Sequence, residues 1–235
     1  TSNSGSGGGI GGTGVSSSGT IDAFGSIFVN GVEYETDAAQ ILIDGEEVGE
    51  NALGLGMVVL VSGTLNEDGA KGTATRVIFD KEVEGPVQSI ERDQDGDSML
   101  LHVVGVVVIT ERTGTVFDNT SFDSLTVGDQ VEISGFPTED GVMRATRIEK
   151  KGEFVEGESE VEVEGVVTML TATEFTLGEF IVDYANADLS GVPNSTLEEG
   201  MRVEVEGLLE ANRILASEVE QEDTAEDVFE DEEDI

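Results

Sequence analysis

The chain has 235 residues, 37% of them hydrophobic, and its 51 acidic residues against 11 basic ones give a net charge of −40 at pH 7. A surface this acidic repels nucleic acid and anionic membranes and attracts cations. We therefore expect no nucleic-acid partner and expect cations as partners of the acidic surface. The alternative to cation binding is that the acidity serves solubility alone. There is no Cys, which excludes disulfides and thiolate sites. No run of about 18 apolar residues is present, so we expect no transmembrane segment.

One stretch occurs three times, at residues 53–63, 125–135 and 197–207, with the pattern L-x-x-G-x-x-V-x-[VI]-x-G. The copies begin at residues 53, 125 and 197, a constant spacing of 72. A fixed period with turn glycines at both ends of an alternating strand indicates tandem copies of one small β unit.

Residues 1–18 form a leader of almost only Gly, Ser and Thr, with Ile10 and Val15 as its large apolar side chains. Such a strand can insert into another subunit as a donor strand, or it can pack on its own domain. We keep both alternatives. Because residue 1 is Thr rather than Met, we expect an exported chain that has been processed.

The first repeat, residues 19–82, reads as short strands with a strong hairpin signal at Asn30-Gly31 and a second turn at Asp44-Gly45. The second repeat, residues 83–151, contains a long apolar strand pair bent at Gly105. Residues 152–160 read as a linker, residues 161–220 as the third repeat, and residues 221–235 as an acidic tail.

The sequence therefore predicts an all-β protein of three tandem small barrels resembling the oligonucleotide-binding (OB) fold. Five or six short strands in about 65 residues fit that size class, and closure hides the strand edges.

The leader GGIGGTG at residues 8–14 and the run GTIDAFGSIFVNGV at residues 19–32 resemble a bacterial exported family of unknown function. The resemblance covers roughly residues 8 to 220. It implies tandem small β-barrels behind a glycine-rich leader, and it supplies no catalytic residues.

Alternation within the repeated strand predicts which side chains face outward. They are Gln130, Glu132 and Ser134 in the second repeat, Arg202, Glu204 and Glu206 in the third repeat, and Val58, Leu60 and Ser62 in the first repeat. An apolar outer face on one copy alone indicates that something covers it, either the same chain or a partner subunit. We predict a subunit interface that contains Ile10, Val15, Val58, Leu60, Val228 and Phe229.

Asp93, Asp95 and Asp97 alternate in one turn and offer the oxygen ligands that calcium prefers. The arrangement lacks the spacing of an EF-hand, and a solvated hairpin turn is the alternative. His102 is the only histidine and lies in an apolar strand, so it cannot build a zinc site or a catalytic triad by itself.

These observations favour a non-catalytic structural subunit of an extracellular or cell-surface filament, a homopolymer joined head to tail through the leader. The alternative is a periplasmic or surface binding module for cations, a carbohydrate or a protein. We expect no enzyme activity, because no nucleophile, base and orienting group can be assembled.

Overall fold

The computed structural model describes residues 14–23, 26–138 and 141–222, and its contacts divide the chain into two compact units, Thr1–Asp80 and Lys81–Ile235. The all-β prediction is confirmed: within the described ranges, eighteen strands are joined by turns and by two single-turn 3₁₀ helices, Glu50–Ala52 and Pro193–Ser195. Among the described residues, no helix has the length and apolarity that crossing a membrane requires.

Seven strands form the first unit, which contains the first repeat. They are β1 (Gly14–Thr20), β2 (Ile27–Val29), β3 (Val32–Glu35), β4 (Gln40–Ile43), β5 (Glu46–Val48), β6 (Val58–Leu65) and β7 (Lys71–Phe79). The sheet order is β1-β6-β7-β3-β2, and the hairpin β4–β5 adds to β7. The β3–β7 pair is parallel, and a bridge between Ile21 and Val29 brings the end of β1 beside β2.

Two tight turns in this unit have the chemistry that the sequence predicted. Asn30 and Gly31 connect β2 to β3 with φ of 53° and 78°, and Asp44 and Gly45 connect β4 to β5 with φ of 47° and 76°. Positive φ at both central positions belongs to the type I′ turn, whose twist matches that of a hairpin. The strands of the first unit pack their buried side chains into one apolar core.

The second unit contains the second and third repeats. Its strands are β8 (Val83–Arg92), β9 (Ser98–Val103), β10 (Val106–Glu111), β11 (Val116–Asp118), β12 (Asp129–Pro137), β13 (Met143–Glu153), β14 (Glu160–Val166), β15 (Glu174–Leu177), β16 (Phe180–Asp183), β17 (Arg202–Glu210) and β18 (Arg213–Gln221).

Strand pairing in the second repeat returns to its starting strand. The circuit runs β8-β9-β10-β13-β12 and back to β8, with β10 and β13 parallel. The third repeat has the order β14-β17-β18-β16-β15, with β16 and β18 parallel, and a bridge between Thr168 and Thr176 brings the chain after β14 beside β15. The identification of these repeats as OB-like barrels stays a prediction.

The second and third repeats join where β8 pairs with β14. Val83 lies opposite Val163 and Glu84 opposite Glu162, in antiparallel register. We call this two-residue pairing the seam. It links the two repeats into one eleven-stranded sheet, and their buried apolar residues form one core cluster.

A close packing contact recurs in every repeat, between a glycine of the first strand and a residue that ends the second strand or begins the turn after it. A Cβ on Gly85 would lie 1.8 Å from Cγ2 of Val104, and a Cβ on Gly165 would lie 2.8 Å from the Leu177 side chain. The first-repeat counterpart is Gly19, whose Cβ would meet the side chain of Asn30 at 2.4 Å. Only glycine leaves room for this close contact.

Val104 combines burial with an unfavourable backbone conformation. Its φ is 46°, a region that a β-branched side chain rarely adopts, and its side chain is buried. The Val104 methyl groups fill the space above Gly85, beside Val161 of the third repeat. Packing at the junction of the two repeats therefore compensates for the local strain.

Two expectations need correction. Gln130, Glu132 and Ser134 were predicted to face solvent, but all three are buried, because β12 lies between β13 and β8 and the third repeat runs alongside. The Gln130 amide donates a 2.6 Å hydrogen bond to the carbonyl oxygen of Glu160. Residues 152–160, read as a linker, begin with the last two residues of β13 and end with the first residue of β14.

Candidate functional site

Carboxylates lie side by side on neighbouring strands across the seam. Register pairs connect Glu132 to Glu84, Glu84 to Glu162, Glu162 to Glu206 and Glu206 to Glu218, on β12, β8, β14, β17 and β18. We call these five residues the first carboxylate row. Neighbouring strands are about 4.8 Å apart, and like charges directly opposite each other repel. The row therefore needs counter-charges, protons or both.

A second, shorter row follows two residues further along the strands. Glu164 lies opposite Glu204, and Glu204 lies opposite Glu220. We call these three residues the second carboxylate row. Period-2 alternation places both rows on one face of β14, β17 and β18, while the intervening valines enter the core.

Two lysines supply the positive charge of the first row. Nζ of Lys81 lies 2.6 Å from Oε2 of Glu162 and 3.5 Å from Oε1 of Glu206. Nζ of Lys151 lies 2.9 Å from Oε2 of Glu132. Lys81 is 11% exposed in its side chain and Glu162 only 3%, so this ion pair is almost fully removed from water.

Burial favours the protonated form of three carboxyls of the first row. Burial, followed by the hydrogen bond with Glu206 and the charge of Glu204, raises the pKa of Glu162 to about 10, although Lys81 acts in the opposite direction. Burial also raises the pKa of Glu84 and of Glu218. One ammonium group cannot replace the lost hydration of several neighbouring carboxylates.

The central residue of the second row shows the same effect. Burial, and then the charge of Glu222, raises the pKa of Glu204 to about 9. Arg202 forms an ion pair with Glu164 at one end of this row.

By spacing, two groups of three carboxylates could hold a metal ion. In the first group the oxygens of Glu162, Glu204 and Glu206 lie within 4.8 Å of one another, and in the second group those of Glu164, Glu204 and Glu222 do so. Each group already contacts a cation of the protein, Lys81 in the first and Arg202 in the second. We therefore assign no metal to either group.

The predicted calcium residues lie in the turn between β8 and β9. Oδ1 of Asp93 accepts hydrogen bonds from the backbone N–H of Asp97 at 2.9 Å and of Ser98 at 3.2 Å. The Ser98 backbone bond lowers the pKa of Asp93. Asp97 faces the guanidinium of Arg112 at 3.9 Å, and Asp95 is exposed. These contacts are those of a hairpin turn, and calcium binding there stays a prediction.

Three of the predicted interface residues can be located. Val58 and Leu60 are half-buried on β6, and Val15 is half-buried on β1, which pairs with β6 of the same chain. For residues 14–18, packing of the leader on its own domain is therefore what the structure has. Ile10, Val228 and Phe229 lie outside the described residues.

Sequence reasoning missed both carboxylate rows. Their signal was the strict Glu-Val alternation of residues 160–164, which was read partly as linker, and its counterpart at residues 203–206. His102, in contrast, is a half-buried residue of β9 opposite Val107, as a strand position predicts.

Three stretches of the chain, residues 15–78, 84–149 and 164–220, match the model of a domain of unknown function, DUF5666. No curated protein matches the chain. The matched stretches cover well over half of the sequence and coincide with the three repeats, which confirms the expectation of an unknown-function family with tandem copies. The chain therefore belongs to the DUF5666 family and carries its domain three times.

Proposed function

We propose that this protein is a non-catalytic structural subunit of an extracellular or cell-surface assembly, built from repeats that join edge to edge. The observation that carries the proposal is the seam, where β8 of one repeat pairs with β14 of the next. Strand addition of this kind extends a sheet without a dedicated binding pocket, and it can act between chains as well as within one.

The composition supports the same conclusion. A chain without Cys and with a single His offers few groups for catalysis, and its carboxylates are engaged in rows along the sheet. The apolar outer positions of β6, Val58 and Leu60, supply a surface that the acidic repeats lack. In this proposal, residues 1–13 reach a neighbouring copy and join subunits head to tail, which gives an open filament.

The test is assembly of the full chain, measured by light scattering over a range of concentrations and by negative-stain microscopy. We expect higher oligomers that are lost when residues 1–13 are removed or when Leu60→Asp is introduced. Val127→Asp is the matched control, because Val127 is 61% exposed and lies outside the predicted interface. A chain that stays monomeric at high concentration, with its leader equally protease-sensitive throughout, contradicts the proposal.

A further inference from the structure

We propose that the seam between the second and third repeats is a proton-controlled joint, closed while the first carboxylate row holds a proton at Glu162 and opened when that proton is lost. The inference is independent of the proposed function, since it concerns the link between two repeats of one chain.

The geometry of the seam makes it sensitive to charge. Only two register pairs join β8 to β14, and one of them places Glu84 directly opposite Glu162. Glu162 is 2% exposed, so a negative charge there is not hydrated. The repulsion between two ionised carboxylates is therefore concentrated on a very short strand pairing.

The groups that face Glu162 carry too little positive charge to balance the negative charge of the first carboxylate row. Glu206 and Glu204 approach it from β17, Glu84 from β8, and Lys81 from the segment before β8. Further along the row, Glu84 faces Glu132, Gln130 and Lys151. Lys151 is bound to Glu132, and the Lys81 ammonium that contacts Glu162 is shared with Glu206.

The direction of the pH effect follows from the two states of the seam. In the closed seam the pKa of Glu162 is raised to about 10 by burial, whereas opening returns the carboxyl to water and to its ordinary pKa of 4.5. Opening therefore releases a proton between these pH values. The equilibrium constant for opening then rises by up to about tenfold per pH unit across that range.

Hydrogen exchange measured by mass spectrometry tests this on the full chain, from pH 6 to 9.5, after correction for the intrinsic pH dependence of exchange. We expect protection of peptides from 83–86 and 160–166 to fall by up to about tenfold per pH unit, while peptides from β10 keep theirs. In Glu162→Gln, which keeps the shape of the side chain but cannot ionise, we expect the pH dependence of seam protection to be much weaker than in the wild type. The remaining dependence comes from Glu84, whose pKa burial also raises.

Glu84→Gln is the second variant, in case the first does not fold. It removes the opposing charge, so we expect a weaker pH dependence than in the wild type. Glu33→Gln, in an exposed pair with Lys71 of the first unit, is the control and should leave the seam profile unchanged. Seam protection that does not depend on pH in the wild type, or that falls equally in Glu162→Gln, overturns the proposal.

Discussion

The first and third repeats build the same pair of strands with different side chains on the face opposite to the apolar core. In the first repeat Ser16 lies opposite Ser62 and Ser18 opposite Leu60, and the first pair forms a hydroxyl hydrogen bond of 3.3 Å. At the corresponding places of the third repeat, Glu162 lies opposite Glu206 and Glu164 opposite Glu204. The backbone pairing is identical in register relative to the repeat glycines, so the strand pattern tolerates both chemistries.

The difference shows what each surface requires. Neutral pairs such as Ser16–Ser62 need no counter-ion, whereas the carboxylate rows depend on Lys81, on Arg202 and on retained protons. We therefore expect the second unit to respond to pH and to charge substitutions far more strongly than the first.

Removal of the Lys81 charge should have the largest effect. Lys81→Met leaves the buried Glu162 carboxyl, which holds its proton at pH 7, without its charged hydrogen-bond partner, and it leaves Glu206 without the ammonium that it contacts. We expect a loss of about 3 kcal/mol in the free energy of unfolding at pH 7. Urea denaturation measures it. Lys71→Met is the control: Lys71 pairs with Glu33 but is 60% exposed, so its loss should change the free energy of unfolding far less. Equal effects of the two substitutions would remove the distinction between the units.

Substitution of the first-strand glycine should have the second-largest effect on stability, and this effect should differ between the two units. Gly85→Ala places a methyl group against Val104, whose backbone is already strained, and we expect a loss of about 2 kcal/mol. Gly19→Ala meets only the end of the Asn30 side chain, which can rotate away at the expense of its exposed hydrogen bonds to Ser17 and Ser18, so we expect a loss of about 1 kcal/mol. Gly152→Ala, which has no atom within 4 Å of its added Cβ, is the control in thermal unfolding. A larger loss for Gly19→Ala than for Gly85→Ala would contradict this order.

Several parts of this architecture could be predicted from the sequence. The 72-residue spacing and the Asn30-Gly31 turn indicated three β units and their hairpins, because turn glycines and alternation are local signals. The carboxylate rows could not be predicted, because Glu84 and Glu162 meet only through the pairing of two repeats. The same non-local pairing buries Gln130, which alternation alone places in solvent.

A substitution that transfers a first-repeat residue into the third repeat tests the role of the second row. Glu204→Leu introduces the residue found at Leu60. Since burial raises the folded-state pKa of Glu204 to about 9, above its unfolded value, stability is highest at low pH and is lost as pH rises toward 9. We expect Glu204→Leu to gain about 1–2 kcal/mol at pH 8, and this gain should shrink as pH falls from 9 to 4.5 and stay constant below that. Glu210→Leu, exposed on the same strand, should show no such pH dependence in urea denaturation.

The reverse transfer should have the smallest effect. Ser18→Glu and Leu60→Glu together reproduce the Glu164–Glu204 pair in the first repeat, and a double-mutant cycle isolates their coupling from the lost packing of Leu60. We expect a destabilising coupling of about 0.5 kcal/mol that decreases with added salt, measured against the matched Gln variants.

Position 58 then decides whether the cation matters. Val58 occupies the place of Arg202, which pairs with Glu164 in the third repeat. Adding Val58→Arg to the two glutamates should reduce or reverse the destabilising coupling, because the guanidinium then lies beside the introduced pair. If the coupling is unchanged, the arginine of the third repeat is not what makes its carboxylate pair tolerable, and retained protons alone must account for it.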